Sequence, residues 1–306
     1  MQKYDLNSFN ILATTTTFYV KIDNFDIMGK TVFLALFLLV LVPTKGQMTC
    51  TPEDSLLFHS KMKGIDQLDL ETGNDQIVAI GKTFLGTPYV EKTLEIGETE
   101  SLVINLRGLD CTTFVENVLA FSLLVKKGRS DFSTFTDNLK TIRYRDGFLD
   151  GYPSRLHYFT EWIRNNNEKG LVQDVTADLG GVEVKKPINF MGTHRELYPF
   201  LADDVNYEKM VQVEKDLAKE SLCILPQENI ADVEDTLENG DIIALATSIK
   251  GLDVTHTGFA IRMPDNRIHL LHASISGAVT ITKEPLVDYL KKVKSNTGII
   301  VARPTL

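Results

Sequence analysis

Residues 109–119 have the sequence LDCTTFVENVL, in which an aspartate and a cysteine come directly before a run with helical spacing. The apolar residues of that run recur at intervals of three and four, which predicts an amphipathic helix from about 110 to 127. Asp110 is a favourable N-cap, so Cys111 falls in the first helical turn. A thiol there lies at the positive end of the helix dipole, and its pKa falls if an imidazolium is near. This is the position expected of a nucleophilic cysteine.

A cysteine nucleophile needs a base, and two of the six histidines occupy suitable positions. His256 lies in DVTHTGFAI (residues 253–261), a predicted strand whose small residues leave room for a substrate. His272 lies in LLHAS (residues 270–274) on the next predicted strand, where it can orient the first imidazole. A cysteine, a histidine and a polar orienting group follow in this order in papain-like proteases. We therefore expect the catalytic residues to be Cys111, His256 and His272.

A zinc site is the competing interpretation of the histidines. His269 and His272 are three residues apart, which on a helix would place both on one face. On a strand, an odd offset points the two side chains to opposite faces, so the strand prediction disfavours a metal site. The sequence also lacks a phosphate loop and a dinucleotide fingerprint. We expect neither a metal nor a cofactor.

The rest of the chain has helical patterns first and strand patterns last. The helical ranges are about 52–63, 75–85, 131–142, 155–165, 205–220 and 285–293. The strand ranges are 241–247, 255–263, 268–274, 279–283 and 298–303. This succession predicts an α+β fold, in which a helical N-terminal half packs on a C-terminal antiparallel sheet.

The longest apolar run, TVFLALFLLVLV, spans residues 31–42. A membrane span needs roughly 20 residues, whereas the core of a signal peptide needs about 7–15. We predict that residues 1–46 are a targeting segment and that translation starts at Met28. The protein is then exported to the periplasm or cell envelope, with no stable membrane span. A lipid anchor at Cys50 is not expected, because the residues before it do not resemble a lipidation site.

The composition excludes several classes of protein. Of the 306 residues 43% are hydrophobic, which is enough for a full core, and the net charge of -9 argues against a nucleic-acid partner. No linker divides the chain after the targeting segment, so we predict one catalytic domain, residues 47–306, with helical insertions at about 129–220. Three cysteines are too few for a disulfide scaffold. Cys223 is predicted to be an inert core thiol, and a disulfide between Cys50 and Cys223 stays open.

Several motifs, in the same order, resemble those of the NlpC-type cell-wall cysteine peptidases. They are GTPY (86–89), LDCTTFVENVL (109–119), GD (240–241), THTGF (255–259) and LLHAS (270–274). The chain resembles most closely a branch described as N-acetylmuramoyl-L-alanine amidase-like, with which it shares the segment from YRDG to FTEW (144–162). The resemblance covers about residues 75–303. It implies a papain-like NlpC-type fold with the nucleophile at a helix N-terminus.

The resemblance also implies a function. Members of the branch resemble amidases that cleave the bond between the lactyl group of N-acetylmuramic acid and L-alanine, so the expected partners are muropeptides from peptidoglycan. The alternatives are a γ-D-glutamyl-diamino acid endopeptidase on the same site, a muropeptide-binding protein without catalysis, and a transglutaminase or acyltransferase.

Substrate contacts are predicted in two places. The resemblance implies that Tyr89 forms a wall of the subsite and that Asp110 binds substrate beside the cysteine. Thr112 replaces the usual serine of the superfamily. This replacement puts in doubt the pocket that binds a free L-alanine amine in the superfamily. Ser274 is placed with them. In the predicted helix 155–165 we expect four side chains to stay partly free: Arg155, His157, Tyr158 and Trp162. The first three of these are predicted to bind the muropeptide. Ordinary packing of this helix is the alternative.

Overall fold

The computed structural model describes residues 48–69 and 73–305. The predicted targeting segment, residues 1–46 with its start at Met28, lies outside these residues. The helices of the described part are α1 (Pro52–Ile65), α2 (Asn74–Lys82), α3 (Cys111–Lys126), α4 (Phe132–Arg143), α5 (Phe159–Glu168), α6 (Phe190–Thr193), α7 (Asp204–Leu217), α8 (Ile230–Val233) and α9 (Leu286–Lys291). None of these helices has the length and apolar character needed to span a bilayer.

The strands form one large sheet and one small pair. They are β1 (Met48–Cys50), β2 (Leu102–Ile104), β3 (Val172–Asp174), β4 (Val182–Val184), β5 (Leu222–Pro226), β6 (Ile242–Thr247), β7 (Val254–Arg262), β8 (Ile268–Ala273), β9 (Val279–Ile281) and β10 (Asn296–Pro304). β1 and β2 pair in parallel. The large sheet is antiparallel, with the order β4-β5-β10-β6-β7-β8-β9 and with β3 also paired to β10. The predicted α+β fold, with helices packed on a C-terminal antiparallel sheet, is confirmed.

The sheet is buried on both faces, because alternating side chains of its central strands enter two different cores. On β6, Ala244 belongs to the core that contains α3, and Leu245 belongs to the core that contains Leu290 of α9. On the α3 side, the ring of Phe114 packs edge-to-face on Phe259 of β7, with the centroids 5.7 Å apart. This contact fixes the start of α3 against the centre of the sheet.

Helix α3 begins at Cys111 because Asp110 caps it. The Thr113 backbone N–H donates to Asp110 Oδ1 at 2.7 Å, and the Asp110 backbone N–H donates to Thr113 Oγ1 at 2.9 Å. A cap of this kind contributes about 1 kcal/mol. Arg143 of α4 donates from Nε to Glu116 of α3 at 2.7 Å, and both side chains are 2% exposed. A buried ion pair thus ties α4 to α3.

Two predictions about local structure were wrong. The predicted helix at 155–165 begins only at Phe159, because Arg155 pairs as a strand with Tyr144 and keeps the preceding residues extended. Cys223 is not in the core: it lies half-buried on β5, one strand from the sheet edge. Burial still raises the pKa of its thiol, so it stays protonated at neutral pH. Cys50 and Cys223 are both free thiols.

Candidate active site

The thiol of Cys111 lies half-buried at the start of α3 and contacts β7. Burial, followed by the charge of Asp110, raises the pKa of this thiol to about 11. The backbone N–H of Thr257 and the hydroxyls of Thr112 and Thr257 act in the opposite direction, and burial outweighs them. The lowered pKa expected beside an imidazolium is not found. The resting thiol is protonated at neutral pH.

The imidazoles of His256 and His272 form a hydrogen bond between β7 and β8. Nε2 of His256 lies 2.5 Å from Nδ1 of His272, and the rings are nearly perpendicular. Burial and the neighbouring His272 lower the pKa of His256 to about 3, and burial lowers that of His272 to about 4. Both rings are therefore neutral at pH 7, which explains why no imidazolium lowers the pKa of the thiol.

The shared hydrogen bond restricts the tautomers. For Nδ1 of His256 to accept a proton, Nε2 of the same ring must carry the hydrogen and donate it to Nδ1 of His272. Thr257, which follows His256 directly on β7, contacts the Cys111 thiol. Within the described residues His256 forms no hydrogen bond with Cys111 itself, and such bonds often tighten only when substrate is bound.

A short stretch, the 86–90 segment, connects the two halves of the site. On one side Leu109, two residues before the nucleophile, donates from its N–H to the Pro88 carbonyl at 3.0 Å. On the other side the Tyr89 N–H donates to the Gly277 carbonyl at 2.8 Å, close to the end of β8. Tyr89 is half-buried, and burial with the nearby Cys111 raises its pKa to about 12. Tyr89 thus lies near the nucleophile, and its role as a wall of the subsite stays a prediction.

Tyr289 of α9 belongs to the same site, and the sequence analysis missed it. Its ring lies edge-to-face on His272, with the centroids 5.6 Å apart. Its pKa is raised by burial and by the nearby Cys111. The predicted helix at 285–293 contained this tyrosine, but only the packing of α9 on β8 brings it to the histidines. No sequence motif marks it.

Asp110 and Ser274 are held by local hydrogen bonds. Oδ1 of Asp110 accepts from the backbone and the hydroxyl of Thr113, at 2.7 and 2.8 Å. The Ser274 hydroxyl lies 2.6 Å from that of Ser276 and closes the turn after β8. Both residues shape the backbone around the site, and their role as substrate contacts stays a prediction.

The second predicted binding surface does not form, because most of its side chains are inside the protein. Arg155 is buried and forms ion pairs with Glu95 and Glu100 at 2.5 and 3.5 Å. The Tyr158 hydroxyl donates to Glu214 at 2.6 Å, and Trp162 is completely buried. The prediction that these three side chains stay partly free was wrong. The carboxylates that pair with Arg155 belong to a loop that is distant in the sequence, and the helical pattern does not reveal this contact.

The remaining histidines of interest have structural partners. His157 is half-buried, with Nε2 lying 2.9 Å from the Tyr152 carbonyl, and burial holds its pKa well below the usual range. His269 lies between the Thr282 carbonyl at 2.8 Å and the Asp265 carboxylate at 3.1 Å. His269 thus has different partners from His272, as the odd offset on a strand predicts.

Comparison with known proteins identifies relatives over most of the described part. The model of the AmiA-like family, described as N-acetylmuramoyl-L-alanine amidase-like, matches residues 79–299. The chain is similar to a solved N-acetylmuramoyl-L-alanine amidase from Bacteroides uniformis, with 40% identity, 76% of this chain and 99% of that chain covered, and a TM-score of 0.72. No curated protein matches the chain.

Two other solved structures are also similar. A protein from Bacteroides fragilis with the provisional name of a xylanase has 44% identity, covers 73% of this chain and 98% of its own, and gives a TM-score of 0.69. A Legionella pneumophila protein of the DUF1460 family has 21% identity, covers 82% of this chain and 95% of its own, and gives a TM-score of 0.63. The last shares the fold.

Proposed function

The chain belongs to the AmiA-like family of N-acetylmuramoyl-L-alanine amidase-like proteins, and on that premise we propose that it is a cysteine-dependent amidase acting on muropeptides. The bond cleaved is the amide between the lactyl group of N-acetylmuramic acid and L-alanine. The observation that carries the proposal is the position of the Cys111 thiol at a helix N-terminus, against strand β7, which holds His256 in a hydrogen bond with His272 of β8.

The reaction starts with the Cys111 thiol and the His256 imidazole both neutral. As Sγ of Cys111 attacks the amide carbon, its proton passes to Nδ1 of His256, and His272 accepts the hydrogen bond from the resulting imidazolium. Backbone N–H groups in the first turn of α3 have no partner within the helix and can bind the oxyanion. His256 then protonates the leaving amine of L-alanine. Water, deprotonated by His256, hydrolyses the thioester and restores the thiol.

Two observations distinguish the proposed amidase from a glycosidase and from an endopeptidase. Glycosidases use a pair of carboxylates, whereas the site described here presents a thiol and two imidazoles, so the xylanase name of one relative is not carried over. The endopeptidases that the chain resembles hold a free amine with the aspartate before the cysteine. Here Oδ1 of that carboxylate, Asp110, is engaged by Thr113.

The test is to incubate the purified protein with defined muropeptides and to identify the products by mass spectrometry. We expect N-acetylmuramic acid, or its anhydro form, together with the intact stem peptide. Cys111→Ala should lower turnover by about 10⁴-fold or more, while the matched variant Cys223→Ala should retain it. Cleavage within the stem peptide would make the protein an endopeptidase. The absence of any product from the folded wild-type protein would indicate that it binds muropeptides without cleaving them.

We also propose that residues 31–42 direct export to the compartment that holds peptidoglycan. The support is the length of the apolar run, which suits a signal peptide. N-terminal sequencing of protein from the cell envelope should find a mature chain that begins near residue 47. An uncleaved chain retained in the cytoplasm would contradict export.

A further inference from the structure

Two threonine hydroxyls on either side of His256 are buried and form no hydrogen bond to oxygen or nitrogen in the described part of the chain. They belong to Thr255 and Thr257, and the side chain of Thr257 is only 1% exposed. A buried hydroxyl that forms no hydrogen bond costs about 1–3 kcal/mol. A valine would fit the same strand without that cost, so the hydroxyl of Thr257 calls for an explanation.

The Thr257 hydroxyl faces the start of α3. Phe114 of α3 packs on Phe259 of β7, and Cys111 is three residues before Phe114 while Thr257 is two residues before Phe259. Residues two apart on a strand share a face, so Thr257 lies on the α3 side of β7, where it contacts Cys111 in the first turn of α3. Its strand partner is Ala244, whose small side chain leaves room for the helix end. The Thr257 hydroxyl contacts the Cys111 thiol, and this contact favours the charged form of the sulfur.

The groups around the sulfur explain why a hydrogen-bond donor would matter there. The titratable groups around it are the carboxylate of Asp110, which disfavours a thiolate, the neutral tyrosines Tyr89 and Tyr289, and the neutral pair of His256 and His272. Within the described residues the largest influences on the pKa of the thiol are burial, Asp110, Thr112 and Thr257, with no lysine or arginine among them. Negative charge on the sulfur must therefore be stabilised by the helix end and by hydrogen bonds.

We propose that Thr257 is a catalytic residue whose hydroxyl donates a hydrogen bond to the Cys111 sulfur as His256 removes the proton. The hydroxyl has no competing acceptor, so the bond forms at the moment when the sulfur becomes charged and at little cost in reorganisation. Its contribution to turnover rests on the proposed amidase function. The hydrogen bond to the sulfur does not, because it concerns the reactivity of the thiol alone.

The experiment measures alkylation of Cys111 by iodoacetamide between pH 6 and 10, followed on the Cys111 peptide by mass spectrometry. In Thr257→Val the rate at pH 8 should fall about tenfold, because a hydrogen bond to a charged group is lost. Thr257→Ser keeps the hydroxyl and should restore most of the rate. Thr255→Val removes the other unpaired hydroxyl and should leave the rate unchanged.

Thr257→Val should fold at least as stably as wild type, since it removes an unpaired polar group, and Thr257→Ala is a second variant without the hydroxyl. An unchanged alkylation profile in both would overturn the proposal, as would equal slowing by Thr255→Val. Turnover of muropeptides is measured on the same proteins. If wild type cleaves none but the alkylation difference persists, the amidase function fails while the hydrogen bond stands.

Discussion

Nε2 of His256 and Nδ1 of His272 lie 2.5 Å apart, so a single hydrogen bond sets the tautomer of both rings. The bond joins two neighbouring strands, and it depends on how closely β7 and β8 approach. Replacing either histidine removes this bond.

Two replacements of His272 test whether it acts by accepting the hydrogen bond from His256 or whether the imidazole ring itself is needed. His272→Ala should lower kcat by about 10²- to 10⁴-fold with little change in KM, because His256 loses the partner that holds its tautomer. His272→Asn places an amide oxygen near the position of Nδ1 and should retain much more activity. Steady-state kinetics on both variants are the measurement, and equal losses would contradict an orienting role.

The buried histidines should make the fold sensitive to acid. The pKa of each falls from about 6.5 in the unfolded chain to about 3 for His256 and about 4 for His272 in the folded protein. Below pH 6.5 the unfolded state binds more protons, so the free energy of unfolding should fall as the pH drops from 7 to 4.5.

Urea unfolding at several pH values tests this. Buried carboxylates such as Glu116 and Glu100 have raised pKa values and act in the opposite direction, so the comparison is between wild type and the double variant His256→Gln/His272→Gln. The variant should lose less stability on acidification. Parallel pH dependences for the two proteins would show that these histidines are not buried in their neutral form.

The ion pair between Glu116 and Arg143 should be costly to break. Arg143→Met leaves a buried carboxylate without its partner and should reduce the free energy of unfolding by about 3–5 kcal/mol. Arg143→Met/Glu116→Leu should recover most of that loss. Lys219→Met, at an exposed pair with Asp216, should change stability by less than about 1 kcal/mol. A loss at Arg143 no larger than at Lys219 would contradict burial of the pair.

Gly258 keeps β7 close to β8. A Cβ at this position would lie 2.8 Å from the Leu271 carbonyl and 2.9 Å from Cβ of His272. Gly258→Ala should therefore push the strands apart, cost about 1–3 kcal/mol and reduce turnover together with stability. Gly64→Ala, in α1, meets nothing within 4 Å and should be neutral or stabilising. Thermal unfolding and turnover of both variants provide the test.

Much of the architecture could be predicted because its signals are local. Asp110 and the spacing behind it locate α3 to within a residue, and the strands from β6 to β10 follow alternating or continuous apolar runs. The resemblance to the N-acetylmuramoyl-L-alanine amidase-like branch, stated from short motifs, is confirmed by the family match. The division into a targeting segment and one catalytic domain stays a prediction. Strands β3 and β4, with three residues each, are too short to leave a pattern.

The errors concern contacts between distant parts of the chain. Helical spacing predicted a free Arg155, but Glu95 and Glu100 enclose it, and their loop precedes it by more than 50 residues. The thiol of Cys111 was expected to have a lowered pKa at the helix N-terminus with an imidazolium near it, but burial raises the pKa instead. Its burial depends on β7, and no pattern around Cys111 shows how deeply the two elements pack. Tyr289 was missed for the same reason.

The 86–90 segment has a consequence for the order in which activity can arise. It is hydrogen-bonded to Leu109 and to Gly277, so it finds its second partner only after β8 has been synthesised. At about 5–20 residues per second, a ribosome produces Cys111 on the order of ten seconds before the strands that carry the histidines. A nascent or C-terminally shortened chain therefore has a thiol without a base, and chemistry at this site belongs to the completed chain alone.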